Sequence, residues 1–289
     1  MNTRIMPEFD LLLPESVEEV VTLLGKYRDK ATILSGGTDM FVAMKSGFKT
    51  EYLISLVKIP DLDSLEYDPE EGLRIGAKTT ISQIVASSDV KTHFRALWES
   101  AYIFATPQLR NTATVIGNLL RASPAGDCSC AVYALGGSIV FQGIDGLREL
   151  SVDELWLANG VTARKTDEIA IELKIPAPVK GGRSSFRRLT RTNEDLAKLN
   201  AAAYLEMDGK KCKRARLSIG CVAATPMRPV KTEALLKGAE ITDELLEKIV
   251  ASVADEINPI DDVRSTAEYR KQVAGILIKR VITQSCCQS

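Results

Sequence analysis

The stretch from Phe104 to Asp127 reads FATPQLRNTATVIGNLLRASPAGD. It combines an aromatic ring, a glycine, a run of small hydroxyl and amide side chains and one carboxylate, without a strong amphipathic period. A connecting loop rarely needs that mixture, whereas a site that wraps a flat ring and a pyrophosphate does. A second segment, Leu34 to Met40 (LSGGTDM), has the same chemical character. Gly36-Gly37-Thr38 can set consecutive backbone N–H groups against a phosphate, because glycine tolerates the close approach and unusual dihedrals of an anion nest. A Gly-Gly pair by itself usually marks a turn. The two loops together point to a dinucleotide held along its length. No G-x-G-x-x-G follows a strand, so a Rossmann site is not supported. Gly76-Ala77-Lys78-Thr79 lacks the Gly-Lys adjacency of a P-loop.

Around these loops the chain reads as α+β. Ser16 caps a helix, with Glu19 completing a capping box and Val17, Val20, Val21 and Leu24 forming an apolar stripe closed by Gly25. Ala31 to Ser35 reads as a strand and Phe41 to Lys45 as a short helix. Tyr52 to Val57 and Leu73 to Ile75 are further strands, separated by a charged, turn-rich excursion from Pro60 to Gly72. Thr80 caps a helix through Ala86, and another helix covers Phe94 to Phe104. Ser123-Pro124 reads as a helix start, a capping hydroxyl followed by proline, with the helix running to Gly136-Gly137. Ser138 to Phe141 is a strand, and Ile175 to Gly182 a linker. Beyond it, Phe186 to Leu189, Ala201 to Met207 and Ala215 to Val222 form three antiparallel strands, with a hairpin turn at Asp208-Gly209. Helices over Thr232 to Lys237, Asp243 to Glu256 and Thr266 to Gln284 follow, giving a second α+β domain packed behind the first.

The bulk properties exclude several classes. The 289 residues suit one large domain or two ordinary ones. A net charge of −1 gives no long-range pull toward nucleic acid or an anionic membrane. No apolar run is long enough to span a bilayer, and Met1 to Asp10 lacks the apolar core of a secretory leader. None of the six cysteines lies in a zinc or ferredoxin spacing, so no metal site is expected and a reduced, cytoplasmic protein is. The lone histidine, His93, sits in a polar connector and reads as a surface residue.

Individual side chains carry two readings each. Asp127, in the first turn of its helix, fits the macrodipole, and it also suits a carboxylate accepting hydrogen bonds from a ribose or ribityl diol. Arg110 reads first as a solvated charge. Lys198 falls at an apolar helix start, Leu196-Ala197-Lys198-Leu199, where snorkelling to the surface is the plain explanation.

The two segments resemble the flavin-binding signatures of the FAD-binding medium subunit of molybdenum hydroxylases, the family that includes the flavin subunits of xanthine dehydrogenase and carbon monoxide dehydrogenase. The first signature resembles Ser35-Gly36-Gly37-Thr38-Asp39-Met40. The second resembles Pro107-Gln108, Arg110-Asn111, Ala113-Thr114, Gly117-Asn118 and Ala122-Ser123-Pro124-Ala125 with Asp127. Glu194-Asp195-Leu196-Ala197-Lys198, Ala224-Thr225-Pro226-Met227-Arg228 and Arg264-Ser265-Thr266-Ala267-Glu268-Tyr269-Arg270 look like the xanthine dehydrogenase version of the C-terminal domain.

The resemblance implies a two-subdomain FAD-binding domain of the vanillyl-alcohol-oxidase-like type over residues 1–176, divided at about 57/58. A smaller α+β domain over residues 183–285 follows. Residues 34–40 and 114–118 would bind the FAD diphosphate, Asp127 the ribityl or ribose hydroxyls, and Phe104 would pack by the isoalloxazine. Lys198 would approach the flavin ring. Molybdopterin and two [2Fe-2S] clusters would sit on a large and a small partner subunit. Electrons would pass from those clusters through FAD to NAD or another acceptor. One position departs from the signature: Ile116 stands where the family has the first of two glycines. Either the backbone there is extended, which the survival of every other signature residue favours, or diphosphate binding is weakened. Two rival functions remain on the sequence: a self-sufficient FAD-dependent oxidoreductase, and a flavin-free assembly subunit supported by Ile116.

Overall fold

The computed structural model describes residues 6–287. The start of the segment read for a leader, residues 1–5, lies outside the described residues. The first unit comprises β1 (Asp10–Leu12), α1 (Val17–Tyr27), β2 (Ala31–Leu34), α2 (Met40–Lys45) and β3 (Tyr52–Ser55). β3 lies between β1 and β2 and runs parallel to both. α1 starts where Ser16, in extended conformation, accepts the Glu19 N–H, and it buries Val20, Val21 and Leu24. The expected capping box is redirected, because the Glu19 carboxylate accepts from the Glu15 N–H at 2.8 Å. Gly25 does not end the helix. The next turn is held by Tyr27, whose ring stacks on Tyr52 of β3 with centroids 3.9 Å apart.

The second unit contains β4 (Leu65–Asp68), β5 (Gly72–Gly76), α3 (Ile81–Ala86), α4 (Ser88–His93), α5 (Arg95–Tyr102), α6 (Pro107–Arg110), α7 (Val115–Leu120) and α8 (Asp127–Leu135). It continues through β6 (Ser138–Gly143), β7 (Gly146–Ser151), α9 (Val152–Leu155), β8 (Trp156–Ala158), β9 (Val161–Thr162) and β10 (Ile169–Ile175). Five strands form an antiparallel sheet in the order β4-β5-β10-β6-β7. The charged excursion hides β4, whose Leu-Glu-Tyr-Asp alternation leaves every second side chain exposed. Thr80 and Gln83 close a full capping box on α3.

The helix expected from Ser123-Pro124 starts later, at Asp127. Ser123 spends its hydroxyl on the Ala125 N–H and its carbonyl on the Gly126 N–H, so the segment forms a turn behind Ala122 at φ 50°. α8 ends on Gly136 in the left-handed region, φ 78°. All its residues except Tyr133 are buried. A helix apolar on every side must lie inside the protein, and α8 does: it packs on α5 and α7 and, through its other side, on the C-terminal sheet.

That sheet is β11 (Gly182–Leu189), β12 (Leu199–Asp208) and β13 (Lys211–Gly220), antiparallel with β12 central. β12 is buried on both faces. Ala202 joins the N-terminal core, while Leu199, Ala201, Ala203 and Leu205 face the C-terminal core, the period of two that a strand imposes. α10 (Val230–Leu236), α11 (Asp243–Glu256) and α12 (Ala267–Cys286) complete the domain. α11 and α12 approach closely at Gly275, where a Cβ would lie 2.3 Å from the Val250 carbonyl oxygen. Lys198 is not at a helix start. It lies in the loop before β12, its N–H and C=O bonded to the Leu189 carbonyl and the Arg270 guanidinium.

Candidate functional site

A cavity of about 460 Å³ opens where the loop after β2 meets α7 and the segment between β9 and β10. Residues 34–40 all line it, as do Phe104, Thr114, Ile116, Gly117 and Asn118. The two signature segments are therefore brought to one wall. Gly36 makes this contact possible: a Cβ there would fall 1.8 Å from the Thr112 carbonyl oxygen. Gly37 follows at φ 70°, turning the chain so that α2 can begin. Among the described residues, the N–H groups of Gly36, Gly37, Thr38 and Asp39 donate to no protein acceptor. Such a run of free donors in a concave loop is chemically an anion cradle.

The second segment is a short helix with its own cap. Thr114 accepts the Gly117 N–H, and a Cβ on Gly117 would lie 2.7 Å from that hydroxyl. Asn118 fixes α7 to α8, its Oδ1 accepting the Ser129 N–H at 3.2 Å and its carbonyl the Ser129 hydroxyl at 3.3 Å. Ile116 is neither extended nor at positive φ. It is the second residue of α7, and its side chain is 3% exposed within the N-terminal core. The ring-side wall is braced by Arg110, which is not a solvated charge: Nη1 donates to the carbonyls of Phe104 and Ala105. Ala105 is held at φ 41° there.

Two cavity residues carried no signal in the sequence reading. Arg121 lies between Gly117-Asn118 and Ala122-Ser123-Pro124-Ala125 and belongs to neither motif. Its Nε is 3.8 Å from Asp39 Oδ1. Arg164 comes from a polar connector with no motif. Its Nη1 donates to the carbonyls of Lys165 and Glu168. The segment carrying it is clamped by Glu168, which is buried and takes both ends of the Arg148 fork at 2.7 and 2.6 Å. Burial opposes ionisation of Glu168, but the Arg148 bonds hold its carboxyl below the usual range. Burial also pushes the Arg164 guanidinium down from its ordinary value. Arg121 and Arg164 set two guanidinium groups against one carboxylate in the wall, which among the described residues holds no His, Cys, Tyr or Lys. The site can bind and orient an anionic ligand with an apolar body, and Asp39 is the single ionisable acid among its described lining residues.

Asp127 and Lys198 do not join the wall. The Asp127 carboxylate lies between the domains, bonded to Arg188 at 2.6 Å and to Asn200 Nδ2 at 2.9 Å. Burial pushes its carboxyl up, and Arg188 and Asn200 pull it back. Lys198 Nζ sits 6.0 Å from the centre of the Tyr269 ring. Cys128 and Cys130 point to different partners inside the protein, and burial pushes the Cys128 thiol up to about 12, the state of an inert structural thiol.

The family described as FAD binding domain in molybdopterin dehydrogenase matches residues 7–178, and CO dehydrogenase flavoprotein C-terminal domain matches residues 184–285. The chain is 29% identical over 281 residues to the carbon monoxide dehydrogenase medium chain of Hydrogenophaga pseudoflava, covering 96% of this chain and 97% of that one. It is 25% identical over 259 residues to the xanthine dehydrogenase FAD-binding subunit of Escherichia coli O157:H7, covering 89% of each. A solved structure of the Hydrogenophaga pseudoflava carbon monoxide dehydrogenase lacking the Mo-pyranopterin moiety superimposes with a TM-score of 0.94 at 28% identity, over 98% of both chains.

Proposed function

The chain belongs to the FAD-binding medium subunits of the molybdenum hydroxylase family, and from that premise we propose that it is the flavin electron-transfer subunit of such a complex. The cavity fits the cofactor on its own chemistry: a nest of unpaired N–H groups for a diphosphate and an apolar flank for flat rings. Residues 34–40 and Thr114, Gly117 and Asn118 would hold the diphosphate end, and Phe104 would pack beside the isoalloxazine. Bound FAD supplies a centre that takes electrons from one redox partner and gives them to another. The chain's own residues bind the cofactor, orient its ring and keep the site's polar donors fixed. Residues 1–176 serve as the FAD-binding domain, and residues 183–285 pack against it through α5 and α8.

The partners in this reading are a molybdopterin-binding large subunit and a small subunit with [2Fe-2S] clusters, with NAD or another acceptor receiving the electrons. No described helix is long and apolar enough to cross a membrane, and the reading places the complex in the cytoplasm. The flavin-free alternative loses its support, because Ile116 occupies a helical position with its side chain in the core. A self-sufficient oxidoreductase would have only the Asp39 carboxylate as a base among the described wall residues, and that carboxylate faces Arg121.

The observation that carries the proposal is the unpaired Gly36–Asp39 amide run packed on Thr112. The test is the visible spectrum of the purified chain, followed by acid release and identification of any flavin. FAD in the released fraction supports the reading. A colourless chain that refuses added FAD removes it.

A further inference from the structure

Arg164 is a half-buried guanidinium that the carboxylates of Glu168 and Asp167 attract from beyond ion-pair distance. Among the described residues it makes no salt bridge, and its bonds go to two carbonyls through Nη1 alone. Its other N–H groups donate to no protein acceptor among the described residues. A partly desolvated cation held by carboxylates only at a distance gains from an anion that meets it directly. It lines the same cavity as the free amides of Gly36 to Asp39.

The surroundings hold this cation in place. The Glu168–Arg148 fork fixes the segment before β10, and Arg148 Nη2 also bonds the Ala163 carbonyl at 3.0 Å. Arg121 reaches the same region. Its neighbour Ala122 is held at φ 50°, and the Ala122 carbonyl accepts the Gly160 N–H at 2.9 Å, tying the two arginine-bearing segments together. Gly160, at φ 75°, packs against the Arg121 head: a Cβ there would lie 3.6 Å from Nη1, at van der Waals contact. Strained backbone of this kind persists where the surroundings over-determine it, and it gathers at ligand sites.

Resting on the FAD reading of this cavity, we infer that Arg121 and Arg164 are the charge-recognition pair for the cofactor's diphosphate, and that they select the dinucleotide over riboflavin. The amide nest supplies directional donors but only partial charge. The two guanidinium groups supply the full charge that a dianionic diphosphate requires, and Arg164 gains a direct ion pair when the anion binds. Asp39, whose Oδ1 lies 3.8 Å from Arg121 Nε, gives up part of that contact on binding.

The test titrates the flavin-stripped full chain with FAD, ADP and riboflavin, following flavin fluorescence and binding heat. Arg164→Ala is expected to weaken FAD and ADP by about tenfold or more, the scale of a lost charge-assisted hydrogen bond, with riboflavin binding unchanged. Arg164→Lys is expected to recover part of the loss, and Arg121→Ala to show a smaller loss of the same kind. The salt dependence of FAD binding should flatten in Arg164→Ala. FAD affinity equal to wild type in both alanine variants overturns the inference, as does a parallel fall in riboflavin binding. A wild-type chain that binds ADP but neither flavin sinks the cofactor reading and leaves the arginine pair as an ADP site. A wild-type chain that binds none of the three overturns both.

Discussion

Arg188 on β11 meets Asp127, the first residue of α8, in an ion pair of 2.6 Å with both side chains 6% exposed. The pair joins the two domains at the tip of a helix that both share, and Asn200 of β12 takes the second carboxylate oxygen. A buried pair of this kind adds little net stability, but breaking it strands a charge. Asp127→Ala is therefore expected to cost about 3–5 kcal/mol, measured by urea unfolding. Asp127→Ala combined with Arg188→Met should recover much of that loss. A single variant as stable as wild type would show that Arg188 finds another partner or reaches water.

Asp262 sets up an acid dependence. Burial works against its carboxylate, but the guanidinium groups of Arg264 and of Arg270, itself 1% exposed, hold its carboxyl well below the usual range. The native chain then binds this proton less readily than the unfolded chain. The stabilising contribution is complete above the ordinary carboxylate pKa of about 4 and is lost as pH falls below it. Unfolding curves across acid pH should show a shallower acid limb for Asp262→Asn, from a lower neutral plateau. Curves that run parallel to wild type at every pH would remove Asp262 as the source.

Two glycine substitutions should act in opposite directions. A Cβ on Gly25 of α1 meets nothing within 4 Å, so Gly25→Ala is expected to stabilise by about 0.5–1 kcal/mol through helix propensity. Gly36→Ala drives a methyl into the Thr112 carbonyl and must part the two loops. It should cost about 1–3 kcal/mol and lower the flavin content, read from melting temperature and the ratio of flavin to protein absorbance. Full flavin content in Gly36→Ala would argue that the seam is not part of the binding site.

Ile116→Gly tests the departure from the signature. The substitution empties a buried core position and places glycine inside α7. A loss of about 3 kcal/mol or more is expected, without any gain in FAD affinity. A variant that binds FAD more tightly at equal stability would show that the side chain obstructs the cofactor after all.

Local signals were readable wherever one residue does one job. α11 was legible over Asp243 to Glu256 because Thr242 caps it and its apolar stripe has the helical period. The loop around Gly36 and Gly37 was legible because only glycine suits those contacts. α8 was harder to delimit, since a helix buried on every side has no polar face to mark its ends, and Ser123-Pro124 imitates a start while serving a turn. β1 is a short strand whose pairing is decided by β3, far from it in sequence, whereas β4 pairs locally with β5 across a tight turn inside a charged stretch that masks its alternation. Asp127 was read from its place on a helix, but its partners come from β11 and β12, and no local pattern announces them. Arg164 was invisible for the same reason: its meaning depends on which residues fold up opposite it.

The burial of α8 between α5 and the C-terminal sheet bears on how the chain comes apart. A boundary that divides the sequence near residue 180 does not divide the free energy, because Phe186 and Ala202 of the second domain already belong to the core of the first. Removing either half bares an apolar face of the other. The two domains are therefore expected to unfold as a single cooperative unit, with the amides of α8 among the last to exchange in a hydrogen-exchange measurement.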